Sequence, residues 1–317
     1  MSNLAVATRQ RSSPPPSLPG GASPAAIRAH YDVSNEFYRL WLDPTLAYSC
    51  ALFDEGAATA FEQPLVYGSM PDDQDSLERA QQRKFAYMLD ACHAAGARRL
   101  LDIGCGWGGL LRHALDHYSV RHATGLTLSD AQALHLNGLA NPRIAVHVES
   151  WADHRAEPYD AITSTGAMEH FCRPGLTPAE RIAIYRDFFR ACHQLLAPGG
   201  SLSLQTICKG GVPLDGPGLE DMLFIFCNIF PDSDVPRLSE LVTAAGKLFE
   251  IATLRNDRLH YARTCVEWLA ALRRNRGPAV ELVGEAKVAQ YERYLSSSAR
   301  QFELNNVGLL RFSLRRI

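Results

Sequence analysis

The chain has 317 residues, of which 46% are hydrophobic and 21% are charged, and its formal net charge is -2. This balance excludes a disordered chain, and the near-neutral charge gives no support to a sequence-independent nucleic-acid binder. No apolar run approaches the roughly 18–20 residues of a membrane span, and the N-terminus lacks the pattern of a signal peptide. Eight cysteines form no C-x-x-C pair. We therefore expect free thiols, no metal site and a soluble, cytoplasmic protein.

The N-terminal part is predicted to be a tail followed by a helical cap. Residues 1–24 are rich in Ser, Pro and Gly, which is typical of a disordered tail. Apolar residues from Ile27 to Trp41 recur at helical spacing. A second helix is predicted from about Ser76 to Ala95, with Ser76 as its N-cap. The stretch 54–75 is expected to be a loop.

The middle third alternates short apolar runs with helical segments. The predicted strands are 99–103, 123–128, 144–148, 159–164 and 201–207. The predicted helices between them are 110–118, 130–139 and 182–196. Strand and helix alternating at this spacing predict a Rossmann-like α/β fold, with a mostly parallel sheet and helices on both faces.

The C-terminal third is predicted to cover that sheet. The apolar, aromatic segment 222–230 is expected to be a core helix or lid, and the wall of an acceptor pocket is the alternative. Residues 262–300 show amphipathic helical patterns. We expect one domain over 25–317, made of three parts. These are a helical cap at about 25–95, a cofactor-binding core at about 96–208, and a lid with C-terminal helices at about 209–317.

The strongest local signal is the segment Leu101–Gly109, with the sequence LDIGCGWGG. A strand that runs into a glycine-rich turn and then a helix places backbone N–H groups beside a ligand. Glycines at 104 and 106 let the backbone approach closely, and Asp102 can meet an ammonium or hydroxyl group. The second strand lacks the acidic end typical of NAD enzymes, which weakens a hydride-transfer interpretation.

This segment resembles the first motif of S-adenosylmethionine (SAM)-dependent methyltransferases. Other segments resemble the cyclopropane-fatty-acid synthase family, which includes mycolic-acid cyclopropane synthases. They are His30–Tyr38, Leu42–Cys50, Ser76–Gln81, Gly125–Ser129, Gly166–Phe171, Pro198–Gly200, Ile229–Pro231 and His260–Thr264. The resemblance covers most of the chain from about residue 25 to 300. It implies a methyltransferase that uses SAM and releases S-adenosylhomocysteine (SAH).

The resemblance also implies the residues that hold the cofactor. They are Tyr48, Ser49, Asp102, Gly104, Gly106, Thr127, Leu128, Gln132, Ser150, Trp151, Ala152 and Thr165. It places Cys50, Glu169 and Tyr261 around the reacting carbon, with His170 beside Glu169. In the family, these positions and a histidine on the fifth strand surround a bicarbonate that is thought to act as the base.

This chain departs from the family at the fifth strand, where it has Gln205 instead of histidine. Glutamine can hydrogen-bond an anion, but it cannot carry positive charge or exchange a proton near pH 7. The departure weakens the case for bicarbonate and for cyclopropane formation. Glu169 is then the expected base.

Methyl transfer to an alkene leaves a carbocation, which aromatic faces stabilise. The candidate aromatic residues are Tyr31, Tyr48, Phe171 and Tyr261. Loss of a proton then gives a methylated alkene or a cyclopropane. The expected acceptor is an unsaturated acyl chain or a smaller isoprenoid or secondary-metabolite alkene, and a lipid-like acceptor would involve transient contact with a membrane surface. The alternatives are N-methylation of a small amine and a SAM-binding module without turnover. The acceptor and the oligomeric state are left open.

Overall fold

The computed structural model describes residues 21, 23, 33–54 and 75–317. Almost all of the predicted tail, the start of the first predicted helix and nearly all of the 54–75 loop lie outside these residues. The described part of the cap contains α1 (Asn35–Arg39) and α2 (Leu77–Ala91). Each helix begins after a serine whose hydroxyl accepts a backbone N–H, which satisfies one of the otherwise unpaired donors of the first turn. The predicted N-cap Ser76 accepts from Arg79 N–H at 3.3 Å.

Seven strands form a single sheet in the order β3–β2–β1–β4–β5–β7–β6. The strands are β1 (Arg99–Ile103), β2 (His122–Thr127), β3 (Ile144–Val148), β4 (Tyr159–Thr165), β5 (Leu196–Lys209), β6 (Phe249–Asn256) and β7 (Val307–Arg316). The first five are parallel to one another, whereas β7 is antiparallel to both β5 and β6. The predicted α/β class and its five parallel strands are confirmed.

Helices cover both faces of this sheet. They are α3 (Gly109–His117), α4 (Asp130–Gly138), α5 (Pro178–Leu195), α6 (Gly216–Asn228), α7 (Leu238–Ala245), α8 (Arg258–Arg274), α9 (Arg276–Val283) and α10 (Glu285–Glu303). A 3₁₀ turn, Met168–His170, follows β4. One core packs α5 and α7 against the sheet, and another packs α2 and α3 against its opposite face. A third core joins α1 to α8 and α10 through Trp41, Trp268 and Tyr291.

The sequence analysis did not predict β6 and β7. Both lie in the region expected to hold only the lid and C-terminal helices, so residue 208 does not divide the sheet from its cover. β7 pairs with β5 from Val307 opposite Lys209 to Arg315 opposite Ser201. This pairing joins segments about a hundred residues apart, which a local pattern cannot show. β7 also has a basic residue, Arg311, at a position that is completely buried.

Candidate active site

A cleft opens where β1, β2 and β4 end, at the edge of the sheet where parallel α/β folds bind ligands. Its volume is about 1200 Å³ including the open mouth. All but one of the predicted cofactor residues line it. They are Tyr48, Ser49, Asp102, Gly104, Gly106, Thr127, Leu128, Gln132, Ser150, Trp151 and Thr165. The sheet therefore brings together residues that are far apart in the chain.

Ala152 is the exception, and its contact with the cofactor stays a prediction. It packs against the hydrophobic core on the α5 face of the sheet. Its backbone N–H donates to Ser150 Oγ at 3.2 Å. Trp151, directly before Ala152, belongs to the same core and also lines the cleft.

The two glycines of the β1 turn have different roles. Both have positive φ, +81° at Gly104 and +53° at Gly106, which favours glycine. A Cβ on Gly104 would lie 2.7 Å from Ala167 Cβ, so this glycine is needed for packing within the protein. A Cβ on Gly106 would meet no described atom within 4 Å. Since Gly106 lines the cleft, the space beside it is available to a ligand.

Polar atoms of the cleft indicate a polar ligand. Thr165 Oγ1 and Trp151 Nε1 are buried and have no hydrogen-bond partner among the described residues. A buried polar atom left unpaired costs about 1–3 kcal/mol, which a ligand can offset. Asp102 Oδ1 accepts from Thr163 Oγ1 at 2.8 Å, and burial raises the pKa of this carboxyl to about 6. These groups fit a cofactor such as SAM, which carries an ammonium, hydroxyls and an adenine.

Lys84 is a cleft residue that the sequence analysis missed. It lies on α2, is 1% exposed, and donates from Nζ to Ser49 Oγ at 2.9 Å. Burial lowers the pKa of Lys84 to about 7. A signal was present, because Lys84 falls on the same face of α2 as the buried Ala80 and Met88, at helical spacing. Glu149, directly after β3, is a second missed residue of the cleft.

A second cavity of about 870 Å³ adjoins the cleft, and we call it the acceptor cavity. Tyr48, Gly166 and His170 line both spaces, so the two spaces meet there. The apolar segment 222–230, which includes the second half of α6, forms one wall of the acceptor cavity. The lining residues from this segment are Met222, Ile225, Phe226 and Phe230. Helices α8 and α10 and the start of β7 supply most of the remaining lining.

Glu169 lies on the 3₁₀ turn after β4 and is the only carboxylate among the described residues that line the acceptor cavity. It is 8% exposed. Oε1 accepts from Ile207 N–H at 2.7 Å, whereas Oε2 has no hydrogen-bond partner in the described part of the chain. Burial raises the pKa of Glu169 to about 7. A carboxylate with one anchored and one unpaired oxygen can accept a proton at neutral pH.

The predicted neighbours of Glu169 take different positions. His170 Nδ1 is hydrogen-bonded to Ser233 Oγ at 2.9 Å, and burial lowers the pKa of His170 to about 4. Tyr261 lines the acceptor cavity and stacks on Phe302 with ring centroids 4.4 Å apart. Burial keeps the Tyr261 hydroxyl neutral by raising its pKa well above the usual value. Both side chains are therefore uncharged near pH 7.

Cys50 and Gln205 are not among the residues that line the two spaces, and their place around the reacting carbon stays a prediction. Both contact the buried guanidinium of Arg311. Its Nε donates to Gln205 Oε1 at 2.9 Å, and one terminal nitrogen lies 3.5 Å from Cys50 Sγ. The Arg311 guanidinium also pairs with Asp257. Gln205 therefore serves a buried polar network behind the cavity.

The described residues among the candidate aromatic side chains lie in two different spaces. Tyr48 and Tyr261 line the acceptor cavity as predicted, whereas Phe171 lines the cofactor cleft and packs on Trp151. Tyr31 lies outside the described residues. The sequence analysis did not identify Tyr294 and Phe302 as part of the cavity. Their signal was the amphipathic pattern of the C-terminal helices, which does not show what the buried face contacts.

The sheet, the glycine-rich turn at the end of β1 and the polar cleft above it define the class that the sequence predicts. This class is the Rossmann-like SAM-dependent methyltransferases.

Comparisons with known proteins agree with this class and narrow it. The family model of mycolic acid cyclopropane synthetases matches residues 22–312. Cyclopropane mycolic acid synthase 3 of Mycobacterium tuberculosis is 32% identical over 304 residues, which cover 92% of this chain and 96% of that protein. The chain therefore belongs to the mycolic acid cyclopropane synthetase family, and it is a SAM-dependent methyltransferase.

Two solved structures are similar over nearly their whole length. The cyclopropane synthase MmaA2 from Mycobacterium tuberculosis has a TM-score of 0.79 and 31% identity, with 93% of this chain and 99% of that chain covered. The mycolic acid cyclopropane synthase CmaA1, complexed with SAH and CTAB, has a TM-score of 0.79 and 32% identity, with the same coverage. The fold of this chain is thus the fold of these enzymes.

Proposed function

We propose that this methyltransferase alkylates a carbon–carbon double bond of a lipid-like or isoprenoid acceptor. The observation that carries the proposal is the position of the acceptor cavity. It is mostly apolar, it meets the cofactor cleft at Tyr48 and His170, and its lining includes Glu169, one carboxylate oxygen of which has no hydrogen-bond partner among the described residues. The names of the relatives, cyclopropane mycolic acid synthases, also support a lipid acceptor.

The residues of the cleft would hold SAM, which supplies an electrophilic methyl group when bound. Asp102, Thr165 and the open space beside Gly106 suit its polar groups. Lys84 Nζ donates to the Ser49 hydroxyl and holds it in place in the cleft. Fixed in this way, the cleft aligns the cofactor with the opening to the acceptor cavity, and orientation of this kind lowers a reaction barrier by several kcal/mol.

The aromatic walls of the acceptor cavity exclude water and stabilise positive charge on the acceptor. Tyr261 is fixed by stacking on Phe302. The Tyr48 hydroxyl donates a hydrogen bond to the Tyr294 hydroxyl at 3.0 Å. Because these rings are held in position, their faces need no rearrangement when a carbocation forms.

Glu169 would remove the proton that ends the reaction. Its anchored Oε1 fixes the side chain, and its unpaired Oε2 accepts the proton. Removal from the new methyl group closes a cyclopropane, and removal from a neighbouring carbon leaves a methylated alkene. Since Gln205 is engaged with Arg311 behind the cavity, we propose that a bound bicarbonate is not required.

The test is turnover of Glu169→Gln at saturating SAM, measured as SAH release with a panel of alkenes and amines. The substitution keeps shape but removes the basic oxygen, so we expect a fall of about 10²–10⁴-fold with SAH affinity unchanged. Glu303→Gln is the matched control, because burial also raises the pKa of Glu303, which does not line the acceptor cavity. The control should retain wild-type turnover.

Four results would contradict the proposal. Near-normal turnover of Glu169→Gln would remove this residue as the base. Stimulation of the wild type by bicarbonate, added to buffer stripped of carbon dioxide, would show that the reaction uses bicarbonate. Methylation of the amines alone would favour the N-methyltransferase alternative, and SAH binding without any turnover would favour a non-catalytic module.

A further inference from the structure

We propose that the acceptor carries a hydrogen-bond donor, such as a hydroxyl group, that binds Gln301 in the acceptor cavity. This inference rests on the proposed function, because it concerns the substrate of the same site. It identifies the acceptor as a functionalised alkene, such as an alkenol, instead of a plain hydrocarbon chain.

Gln301 is a buried amide in an otherwise mostly apolar cavity. It lies on α10, is 1% exposed and lines the acceptor cavity. Its Nε2 donates to the backbone carbonyl of Gly218 at 3.0 Å. Its Oε1 is buried and has no hydrogen-bond partner in the described part of the chain.

The orientation of this amide is determined by its neighbour. A flipped amide would place Oε1 against the Gly218 carbonyl oxygen, and two acceptors do not bond. Nε2 must therefore face Gly218, which leaves Oε1 as the available group. A buried acceptor without a partner is unfavourable, so a ligand that donates a hydrogen bond to Oε1 is favoured over one that cannot.

The position of Gln301 along α10 gives the spacing of the donor. Tyr294 lies seven residues earlier on the same cavity-lining face, and its hydroxyl contacts Tyr48, where the two spaces meet. Seven residues of α-helix span about 10 Å. The donor is therefore expected about 10 Å along the helix from the opening to the cofactor. Ser298, one turn before Gln301, also lines the cavity and adds a hydroxyl group to this end of it.

A second glutamine on α10, Gln290, also links this helix to α6. It lies on the same helix, and its Nε2 donates to the carbonyl of Asn228, at the end of α6, at 3.0 Å. Gln290 does not line the acceptor cavity. The two glutamines therefore make equivalent contacts to opposite ends of α6, and of the two only Gln301 lines the acceptor cavity. This pair offers a matched control.

The experiment measures binding first, so that it does not depend on turnover. The probes are decenol with a terminal double bond, its methyl ether and decene, titrated into the full-length protein loaded with SAH. We expect decenol to bind about tenfold more tightly than the ether or decene. In Gln301→Met, which keeps length but lacks the acceptor oxygen, this preference should disappear. Gln290→Met should preserve it, and SAH affinity should be the same in all three proteins.

Equal affinity of the wild type for decenol and its ether would overturn the inference. The same holds if Gln301→Met, folded and binding SAH normally, retains the preference for decenol. SAH release with the three probes then tests the proposed function separately. A preference for decenol in binding without any turnover of these alkenes would support the Gln301 site and contradict alkene methylation by this enzyme.

Discussion

Burial affects the two neighbouring titratable groups of the acceptor cavity in opposite ways. It raises the pKa of Glu169 to about 7 and lowers the pKa of His170 to about 4. Burial disfavours the charged form of each, which is the anion for a carboxyl and the cation for an imidazole. Between pH 5 and 8, only Glu169 of this pair changes its charge.

The first prediction is therefore a rising pH profile. A general base must be ionised, so turnover at saturating SAM should increase with pH and reach half its maximum near pH 7. In Glu169→Gln the residual rate should be independent of pH over this range. Asp102, with a pKa raised to about 6, also ionises nearby. Lys84, with a pKa lowered to about 7, also titrates in the cleft. A rising limb that persists in Glu169→Gln would assign the profile to Asp102, Lys84 or another group.

The second prediction concerns Gly106 in the cofactor cleft. Gly106→Val adds a branched side chain at a φ of +53°, directed into the space where SAM is expected. We expect SAH affinity, measured by calorimetry, to fall at least tenfold, with the circular dichroism spectrum unchanged. Gly138→Ala is the control, because a Cβ there also meets nothing within 4 Å, outside the cleft. Unchanged affinity in a folded Gly106→Val would mean that SAM does not lie against this turn.

At the scale of elements, β7 holds the N-terminal cap against the sheet. Arg311 on this strand is completely buried and donates to the carbonyl of Ala51 at 3.0 Å, while it also pairs with Asp257 at the start of α8. The Arg311 side chain thus joins three parts of the molecule: the segment before the 54–75 loop, the sheet and a C-terminal helix. The Tyr48–Ser49 segment of the cleft directly precedes this anchor.

The third prediction follows from that anchor. Arg311→Met removes a completely buried guanidinium and leaves Asp257 paired with Arg255 alone, so it should lower the free energy of unfolding by up to about 3–5 kcal/mol. Arg315→Met, on the same strand, removes an exposed pair with Glu250 and should cost less than about 1 kcal/mol. Urea denaturation measures both. Equal effects of the two substitutions would show that the Arg311 network does not stabilise the fold.

At the scale of the whole molecule, the exposure of the cysteines can be used to follow the opening of the fold. All eight are free thiols, and only Cys227, on α6, is exposed. None of the helices in the described residues is long and apolar enough to cross a membrane. The cytoplasmic location and the transient contact with a membrane surface stay predictions.

The fourth prediction is a thiol count. With a thiol reagent at neutral pH, Cys227 should react rapidly in the native protein, while the seven buried thiols react only as the fold opens. In denaturant, all eight should react. Cys227→Ser should abolish the rapid phase and leave SAH affinity intact. A total below eight in denaturant without reductant would indicate a disulfide.

The class of fold could be predicted from strand–helix alternation and from the glycine-rich turn after β1, because both are local patterns. The cofactor and the residues that hold it were implied by the resemblance to a known family. Parallel strands place their carboxyl ends at one edge, so residues such as Asp102, Thr127 and Thr165 must converge there. Local sequence is enough to predict such a site.

The acceptor cavity and the Arg311 network behind it could not be predicted from the sequence. Gln205 and Cys50 turned out to contact Arg311 because β7 inserts beside β5, a pairing across about a hundred residues that carries no local signal. The position of Gln301 beside the cavity likewise depends on how α10 packs against α6. Long-range contacts of this kind are decided by packing, because only packing determines which buried faces meet.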